Sequence, residues 1–539
     1  MIRRIFFLLV MAGVMIFSMA AVFAEDIGRG KTLIYIPIDN RPVNLKQTVE
    51  LAERLGYEVL VPPQIFLGTG ADSSKFGNPE ELWYWLNKNA HRANAAIIST
   101  DAMLYGSLVA SRQHEMSVEE VLNRARNFEL FHEDFPYLPI YAFGTIMRTP
   151  RSGSYSSAEP EYYKQFGEMI FNYTALKDKS ETEQLTKKEQ VEFTRLENEI
   201  PKEALEDWLG RRAKNYDVHQ YLAELTAAGV FNYFLVGCDD SAMFSQTHLE
   251  SRHLTAYGND LDLGKTRFQV MSGADELGML MISRAINNDL HRIPLIAIDY
   301  NIGTGANTVP TFSNEKISDS LEGAIISVGG VRIPNIENAD LILSVNTFPN
   351  GKTFSSDNKI NRVKPHSGIG FFIDDMKKFI KKGYAVGVVD ISTSNGADNS
   401  LMRRLRDSKL QFKIRSYGGW NTASNSAGFL IGAGVLTRYM SDTDFYNLLL
   451  QRYLDDWVYQ ANLRTQINGG LIWTVPGEGG LWNLDGRRAG LETLTADLVK
   501  KFVNENIILP EGYTMENISV DFPWNRTFEA DISFDLIKQ

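Results

Sequence analysis

Ten short apolar runs rich in β-branched residues recur along the chain, near residues 33–38, 58–61, 95–100, 139–144, 232–237, 268–272, 294–299, 341–345, 385–390 and 411–416. A continuous apolar run of this length reads as a strand buried on both faces, as in a parallel sheet. Patterns of helical period separate most of them, for example Pro79 to Ala90, Val118 to Phe131 and Asp275 to Asn287. Such alternation predicts parallel α/β architecture. Ten strands exceed the eight of one barrel, so two units are expected. The first, residues 25–290, is barrel-like or doubly wound, with a helical insertion at about 174–228 where Lys and Glu accompany Leu and Phe at helical spacing. The second, residues 291–440, is a smaller α/β unit. Residues 441–539 form a C-terminal extension, beginning with an amphipathic helix that carries Tyr446, Tyr453 and Trp457 and ending in a Gly- and Trp-rich stretch and a β-like tail.

Five strand ends are acidic: Asp39 in Asp39-Asn40-Arg41, Asp101 after Ser99-Thr100, Asp239-Asp240, Asp275-Glu276, and Asp390. Ligands of α/β folds bind outside the carboxyl ends of the strands. One acid there is ordinarily a helix cap. Five, two of them doubled, point to an acidic cleft. Glycoside cleavage needs two carboxyl groups, one of which protonates the leaving oxygen. Asp239 and Asp240 are the sharpest pair, because adjacent residues at a strand end point differently. Such a pair also resembles that of substrate-assisted hexosaminidases. That resemblance implies that the first acid orients an acetamido group and the second is the acid/base. Asp275, Glu276 and Asp101 are the candidate partners, although acids in a first helical turn also favour the helix dipole.

Arg41, Arg112 and Arg148 stand at strand ends too, as bidentate forks for substrate or as internal counter-ions. Asp390 and Asn395 join the candidate binding groups, with Asp39. In the turn Tyr417-Gly418-Gly419-Trp420-Asn421-Thr422-Ala423-Ser424-Asn425, Trp420 offers a flat face and Asn421 and Asn425 offer amides, a mixture suited to a sugar ring. The competing reading is a tight turn with Trp420 in the core.

Residues Met1 to Ala24 read as an export signal: Arg3 and Arg4, an apolar stretch from Ile5 to Val22, then Val22-Phe23-Ala24 as a cleavage site. A retained N-terminal anchor is the rival reading. The protein is therefore expected to be secreted or periplasmic. Cys238 is the only cysteine, so no internal disulfide forms, and its place at an apolar strand end beside a carboxylate makes it a core residue. A net charge of −11 with scattered basic residues disfavours nucleic acid. Eight histidines without metal-ligand spacing, and no Cys-X-X-Cys, argue against zinc. No cofactor is expected.

The segments Pro37-Ile38-Asp39-Asn40-Arg41-Pro42, Ser99-Thr100-Asp101 with Gly106 and Ser111-Arg112, Gly273-Ala274-Asp275-Glu276, Asn395-Gly396-Ala397-Asp398, Gly419 to Asn425, and Pro523-Trp524-Asn525-Arg526 with Phe528-Glu529 together resemble a bacterial exported family catalogued only as a large domain of unknown function, DUF4127. The resemblance implies no reaction. Where that family often carries an acid as the second residue of its first motif's polar core, this chain has Asn40. The residues themselves support an exported carbohydrate hydrolase, a glycosidase, with carbohydrate as partner. Alternatives are a non-catalytic glycan- or solute-binding protein, and a divalent-metal hydrolase with Asp39, Asp101, Asp239 and Asp390 as ligands. The leading reading requires Asp39, Asp101, Asp239 and Asp275 to share one cleft, with arginine among them, at least one raised pKa, and Trp420 at the border.

Overall fold

The computed structural model describes residues 27–151, 158–362 and 365–539; the expected export segment, residues 1–24, lies outside them. Strands β1 (Thr32–Ile36), β2 (Glu58–Leu60), β3 (Ala95–Ser99), β4 (Ile140–Ile146), β5 (Tyr233–Cys238) and β6 (Phe268–Ser272) form one six-stranded sheet in the order β2-β1-β3-β4-β5-β6. Every pairing is parallel. The sheet is open and doubly wound, which decides between the two architectures expected for it. The strands β1, β3, β4 and β5 are buried along their whole length, which is why their sequences run apolar without alternation.

Strands β7 (Leu295–Tyr300), β8 (Val331–Arg332), β9 (Leu341–Asn346), β11 (Val386–Asp390) and β13 (Ser416–Gly418) build a second parallel sheet, ordered β13-β11-β9-β7-β8. Between them β10 (Phe354–Ser355) and β12 (Thr393–Ser394) make a short ladder of their own. β14 (Tyr513–Asp521) and β15 (Asp531–Lys538) close the chain as an antiparallel hairpin. Read outward from its first strand, each large sheet winds alike: the second strand lies on one side and the third, fourth and fifth on the other. Each therefore has a point where the winding direction reverses, between β1 and β3 in one and between β7 and β9 in the other. Crevices form at such points.

Helices Leu277–Asp289 and Ala423–Gly434 are the layers between the sheets. The first packs on β3 and β4, the second on β11 and β13, and the two pack on each other. Covered on all sides, residues 277–287 and 423–434 are buried throughout, and such helices carry no polar face. A Cβ on Gly428 would lie 2.4 Å from Glu276 Cγ, and one on Gly432 2.8 Å from Met279 Cγ. Glycine at these two positions sets how closely the helices approach.

Three helices, Tyr163–Thr182, Lys187–Glu199 and Lys202–Ala228, run between β4 and β5. Thr186 and Glu189 begin the middle one with a reciprocal capping box. Two boundaries differ from the sequence pattern. The periodic stretch from Val118 breaks into Val118–Ala125 and Asn127–Asp134. The last apolar run, around 411–416, turns before it extends, and the strand forms at Ser416–Gly418. The helix starting at Asp442 widens into a π-helical stretch over Tyr453–Leu463, for which periodicity gives no sign. No helix among the described residues is long and apolar enough to cross a membrane.

Gly428→Val is expected to destabilise the protein by about 1–3 kcal/mol through overpacking of the helix pair. Gly210, inside helix Lys202–Ala228 with open space around it, is the control: Gly210→Ala is expected to stabilise by roughly 0.5–1 kcal/mol. Urea midpoints check both, and a neutral Gly428→Val would show that the helix contact is looser than described.

Candidate active site

Pro42 ends the extension of β1 and turns the preceding residues out from the strand end. Arg41 curls back: Nε donates to Asp39 Oδ2 at 3.0 Å and Nη2 to the same oxygen at 2.8 Å. The same guanidinium reaches the loop after β6, with Nη2 donating to Asp275 Oδ1 at 2.5 Å and Nη1 to Oδ2 at 3.2 Å. Asn44 Nδ2 donates to both acids, at 2.8 and 3.3 Å. Glu529 from the C-terminal segment lies 4.0 Å from Arg41 Nη1. Burial of the guanidinium opposes its charge, but Asp275 and Asp39 hold its pKa well above the usual arginine value. Burial raises the Asp275 carboxyl, and Arg41 opposes that rise.

A second group stands at the ends of β4 and β5. Arg112 forms an ion pair with Asp239 through Nη2, and its Nη1 lies 3.9 Å from Glu159. Glu159 accepts from Arg148 Nε at 2.7 Å, and Arg148 Nη1 lies 3.6 Å from Asp240. The adjacent aspartates thus differ. The Asp239 side chain is 10% exposed, whereas that of Asp240 is 34% exposed. Asp240 also takes a left-handed backbone, φ 33°, a conformation seldom adopted without constraint from its surroundings. Burial and then the charge of Asp239 push the Asp240 carboxyl up to about 6, against the pull of Arg148 and Arg112.

Two acids form no ion pair among the described residues. Asp101 sits in the first turn of the short helix Thr100–Tyr105, which Ser99 caps. Its Oδ1 accepts from Thr145 Oγ1 at 3.1 Å, and its Oδ2 has no partner among the described residues. Burial pushes it up to about 7. Glu276 is wholly buried and neither of its oxygens completes a hydrogen bond among the described residues. Burial pushes it up to about 8, although the nearby backbone N–H groups of Glu276 and Ala274 act in the other direction. Beside it lies a closed cavity of about 10 Å³ bordered by Val43, Asp275, Trp420, Phe429 and Arg452, the room of one water molecule.

The second sheet contributes the far wall. Asn421 donates to Asp275 Oδ2 at 3.2 Å. Asn425 Oδ1 accepts from the backbone N–H groups of Ala274 and Asp275 at 3.2 and 3.3 Å. Asn395 N donates to Asn421 O at 2.8 Å. Asp101, Asp239, Asp275 and Asp39 therefore form a chain of acids, each within electrostatic reach of the next, with Arg41, Arg112 and Arg148 among them. They form a packed ion network and not an open cleft. Asp240, Arg148, Asn395 and Asn421 are its members that reach solvent.

Several expected binding groups have internal partners. Arg41 and Arg112 are buried and engaged by Asp39, Asp275 and Asp239. Trp420 is 4% exposed and offers no free ring face. Asp390 lies in a separate network at the second sheet's winding reversal. There its Oδ1 accepts from Asn346 at 3.0 Å and its Oδ2 from Tyr417 Oη at 2.8 Å. Asn346 also donates to Asp398 Oδ2 at 3.0 Å, which in turn bonds His366 Nε2 at 2.6 Å. The four aspartates offered as metal ligands do not converge, since Asp39 and Asp239 are paired with arginine and Asp390 is elsewhere. Among the described residues no group of three or more His, Cys, Asp or Glu is placed to share a metal ion. Cys238 is 1% exposed, and burial raises its thiol. Sequence reasoning passed over Asn44 and Glu159. Asn44 lies three residues after Arg41, a spacing that could have drawn attention; nothing around Glu159 marks it.

Over residues 33–533 the chain matches the model of a family described as a protein of unknown function, DUF4127. The chain belongs to that family. No curated protein matches it. The DUF4127 segments named above fall largely on this network: Asp39 to Arg41, Asp101, Arg112, Asp275, Glu276, Asn421 and Asn425, with Trp524 Nε1 donating to Asn40 Oδ1 at 2.8 Å and Glu529 beside Arg41.

Glu276 gives this DUF4127 protein a specific pH dependence. Unfolded, the side chain loses its proton near ~4.3; folded, it keeps it up to about 8. Across that window the native state binds the extra proton, so stability falls as pH rises. Glu276→Gln has no proton to lose. From about pH 5 to about pH 8 its stability relative to wild type is expected to gain on the order of a few kcal/mol, read from urea unfolding. A constant difference would mean that Glu276 does not titrate in this window.

Proposed function

We propose that the protein is an exported hydrolase that cleaves a glycosidic bond, with Asp240 as the proton donor. The observation that carries this is the split Asp239–Asp240 pair at the end of β5. One carboxylate is buried and clamped by Arg112; its neighbour reaches solvent with a raised pKa. Neighbouring acids in unlike environments can divide acid and base roles. Asp240 donates its proton to the leaving oxygen as the bond to the anomeric carbon breaks, and water supplies the hydroxyl that replaces it. Asp239, paired with Arg112, positions the adjacent substrate group or steadies the positive charge that develops on the sugar. Arg148, 3.6 Å from Asp240, stabilises its conjugate base after transfer. The apolar, Arg-led segment at the N-terminus supports a site of action outside the cytoplasm.

The test is turnover of aryl glycosides and cell-wall oligosaccharides. Asp240 must be protonated, so kcat/KM is expected to hold at low pH and to fall as pH rises through about 6. Asp240→Asn is expected to lose about 10²–10⁴-fold in kcat on alkyl glycosides and to remove that limb. The loss should shrink for aryl groups that leave without protonation. Activity and pH profile unchanged in Asp240→Asn would refute the assignment. Tight glycan binding with no product from any substrate would make the protein a binding protein instead.

A further inference from the structure

The Gly- and Trp-rich stretch at 469–487 takes no part in the chemistry above. It is an ordered loop: Leu484 N donates to Asn525 O at 2.8 Å, Thr527 N to Leu481 O at 2.9 Å and Gly480 N to Asn483 O at 2.7 Å. Gly479, at φ 104°, lies so close to the returning chain that a Cβ there would fall 2.4 Å from Leu484 O. Yet the loop leaves Trp473 58% and Trp482 55% exposed. Two large apolar rings presented to water by one well-tied loop mark a binding surface.

Both rings have a guanidinium neighbour. Arg487 stands over Trp473 at 5.2 Å and Arg526 over Trp482 at 5.9 Å. Trp482 also lies nearly parallel to Phe528, at 19° and 6.5 Å between centroids. Arg526 stacks in turn on Trp524 at 4.7 Å and pairs with Glu529, and Arg41 covers the same Trp524 at 5.2 Å. Alternating rings and guanidinium groups thus run from the exposed indole of Trp482 to the Asp39–Arg41–Asp275 clamp.

We infer that Trp473 and Trp482 form an outer subsite for a neutral glycan chain, stacking on sugar rings beyond the bond cleaved at Asp240. This rests on the carbohydrate reading of the site. A flat aromatic face suits the C–H face of a pyranose, and the linked amides of Asn483 and Asn525, whose Nδ2 groups donate to Asp485 and Asn483 respectively, form a polar rim beside it. Arg526 is engaged by Glu529 and the rings, and the chain carries a net charge of −11, so a polyanion is disfavoured. An apolar peptide would seek a concave groove, whereas these rings stand out with polar neighbours.

Affinity electrophoresis of the full chain in native gels cast with glycol chitin, xylan or laminarin tests the inference, in the Asp240→Asn background so that the polymer stays intact. Retardation by at least one polymer is expected. Trp473→Ala and Trp482→Ala should each weaken it about tenfold, a stacking contribution of the usual size. The double variant should migrate as in a gel without polymer, and Trp482→Tyr should retain most of the retardation. The thermal midpoint should hold, at least for Trp473→Ala, whose ring is largely in water. No retardation by any of the three polymers, or equal retardation of the double variant, overturns the subsite. Ring-dependent retardation from a protein that releases no product keeps the subsite and removes the glycosidase. Asp240-dependent turnover of aryl monoglycosides with ring-independent retardation does the reverse.

Discussion

The contact between helices Leu277–Asp289 and Ala423–Gly434 holds the molecule together and also fixes its chemistry. Each helix is the inner cover of one sheet, so their approach is the approach of the two sheets. Gly428 and Gly432 allow ridges to interlock where any side chain would intrude. Glu276 stands at the start of the first helix and fills the space Gly428 leaves, as Met279 fills that at Gly432. On its other side a Cβ on Gly273 would fall 1.7 Å from Glu276 Oε1. Asp275, one residue earlier, is held by Arg41 from the first sheet and by Asn421 and Asn425 from the second. Inter-sheet packing and site geometry are the same set of contacts.

Electrostatics explains why so much acid can be buried there. Asp39, Asp239 and Asp275 each face an arginine, and Glu159 bridges Arg112 and Arg148. Asp101 and Glu276 pair with none, although the charge of Arg112 reaches Asp101, and burial raises both. Buried ion pairs rarely stabilise a fold better than apolar packing would, while breaking one costs about 3–5 kcal/mol. A network of this kind is a burden on stability unless its arrangement serves a reaction or a ligand. That is the physical reason to look for function here and not in the charged helices between β4 and β5, whose ion pairs are mostly exposed.

Much of this was legible in the sequence because strands buried on both faces leave an unmistakable apolar signature, and their ends then locate the polar groups. Each of the ten apolar runs has a strand of the two large sheets at or beside it. The partners were not legible. A guanidinium fits a substrate carboxylate and Asp39 equally well, and only the fold reveals that Asp275, far along the chain, completes the clamp. The glycines before Trp420 are ambiguous for a similar reason. Two adjacent glycines before an aromatic can let a ligand approach the backbone or fit a tight turn, and here a Cβ on Gly419 would fall 2.6 Å from Tyr417 Oη and one on Gly418 2.4 Å from Ser426 O. They make room for the protein's own turn, and Trp420 goes into the core with it. Short edge pieces such as β8, β10 and β12, two residues each, carry too little pattern to be read at all.

The two sheets wind alike yet differ at the point where each winding reverses. At the second, Asn346 spans Asn301, Asp390, Ser392 and Asp398. His366 lies against Phe348 with ring centroids 4.4 Å apart and pairs with Asp398. Asp390 and Asp398 are balanced by neutral amides, Tyr417 and the imidazole, which closes that crevice with the chain's own groups. At the first, Arg41 clamps Asp39 while Asp101 has no ion pair, and farther along the same sheet edge, at the end of β5, Asp240 is left partly in water at a raised pKa beside Asp239. A saturated hydrogen-bond network stabilises one arrangement; a carboxyl that can exchange its proton with solvent can also give it to a substrate. The same winding therefore yields a structural joint in one sheet and a candidate reactive edge in the other. The second sheet's share in that edge comes through Asn421, whose bond to Asp275 crosses between the units.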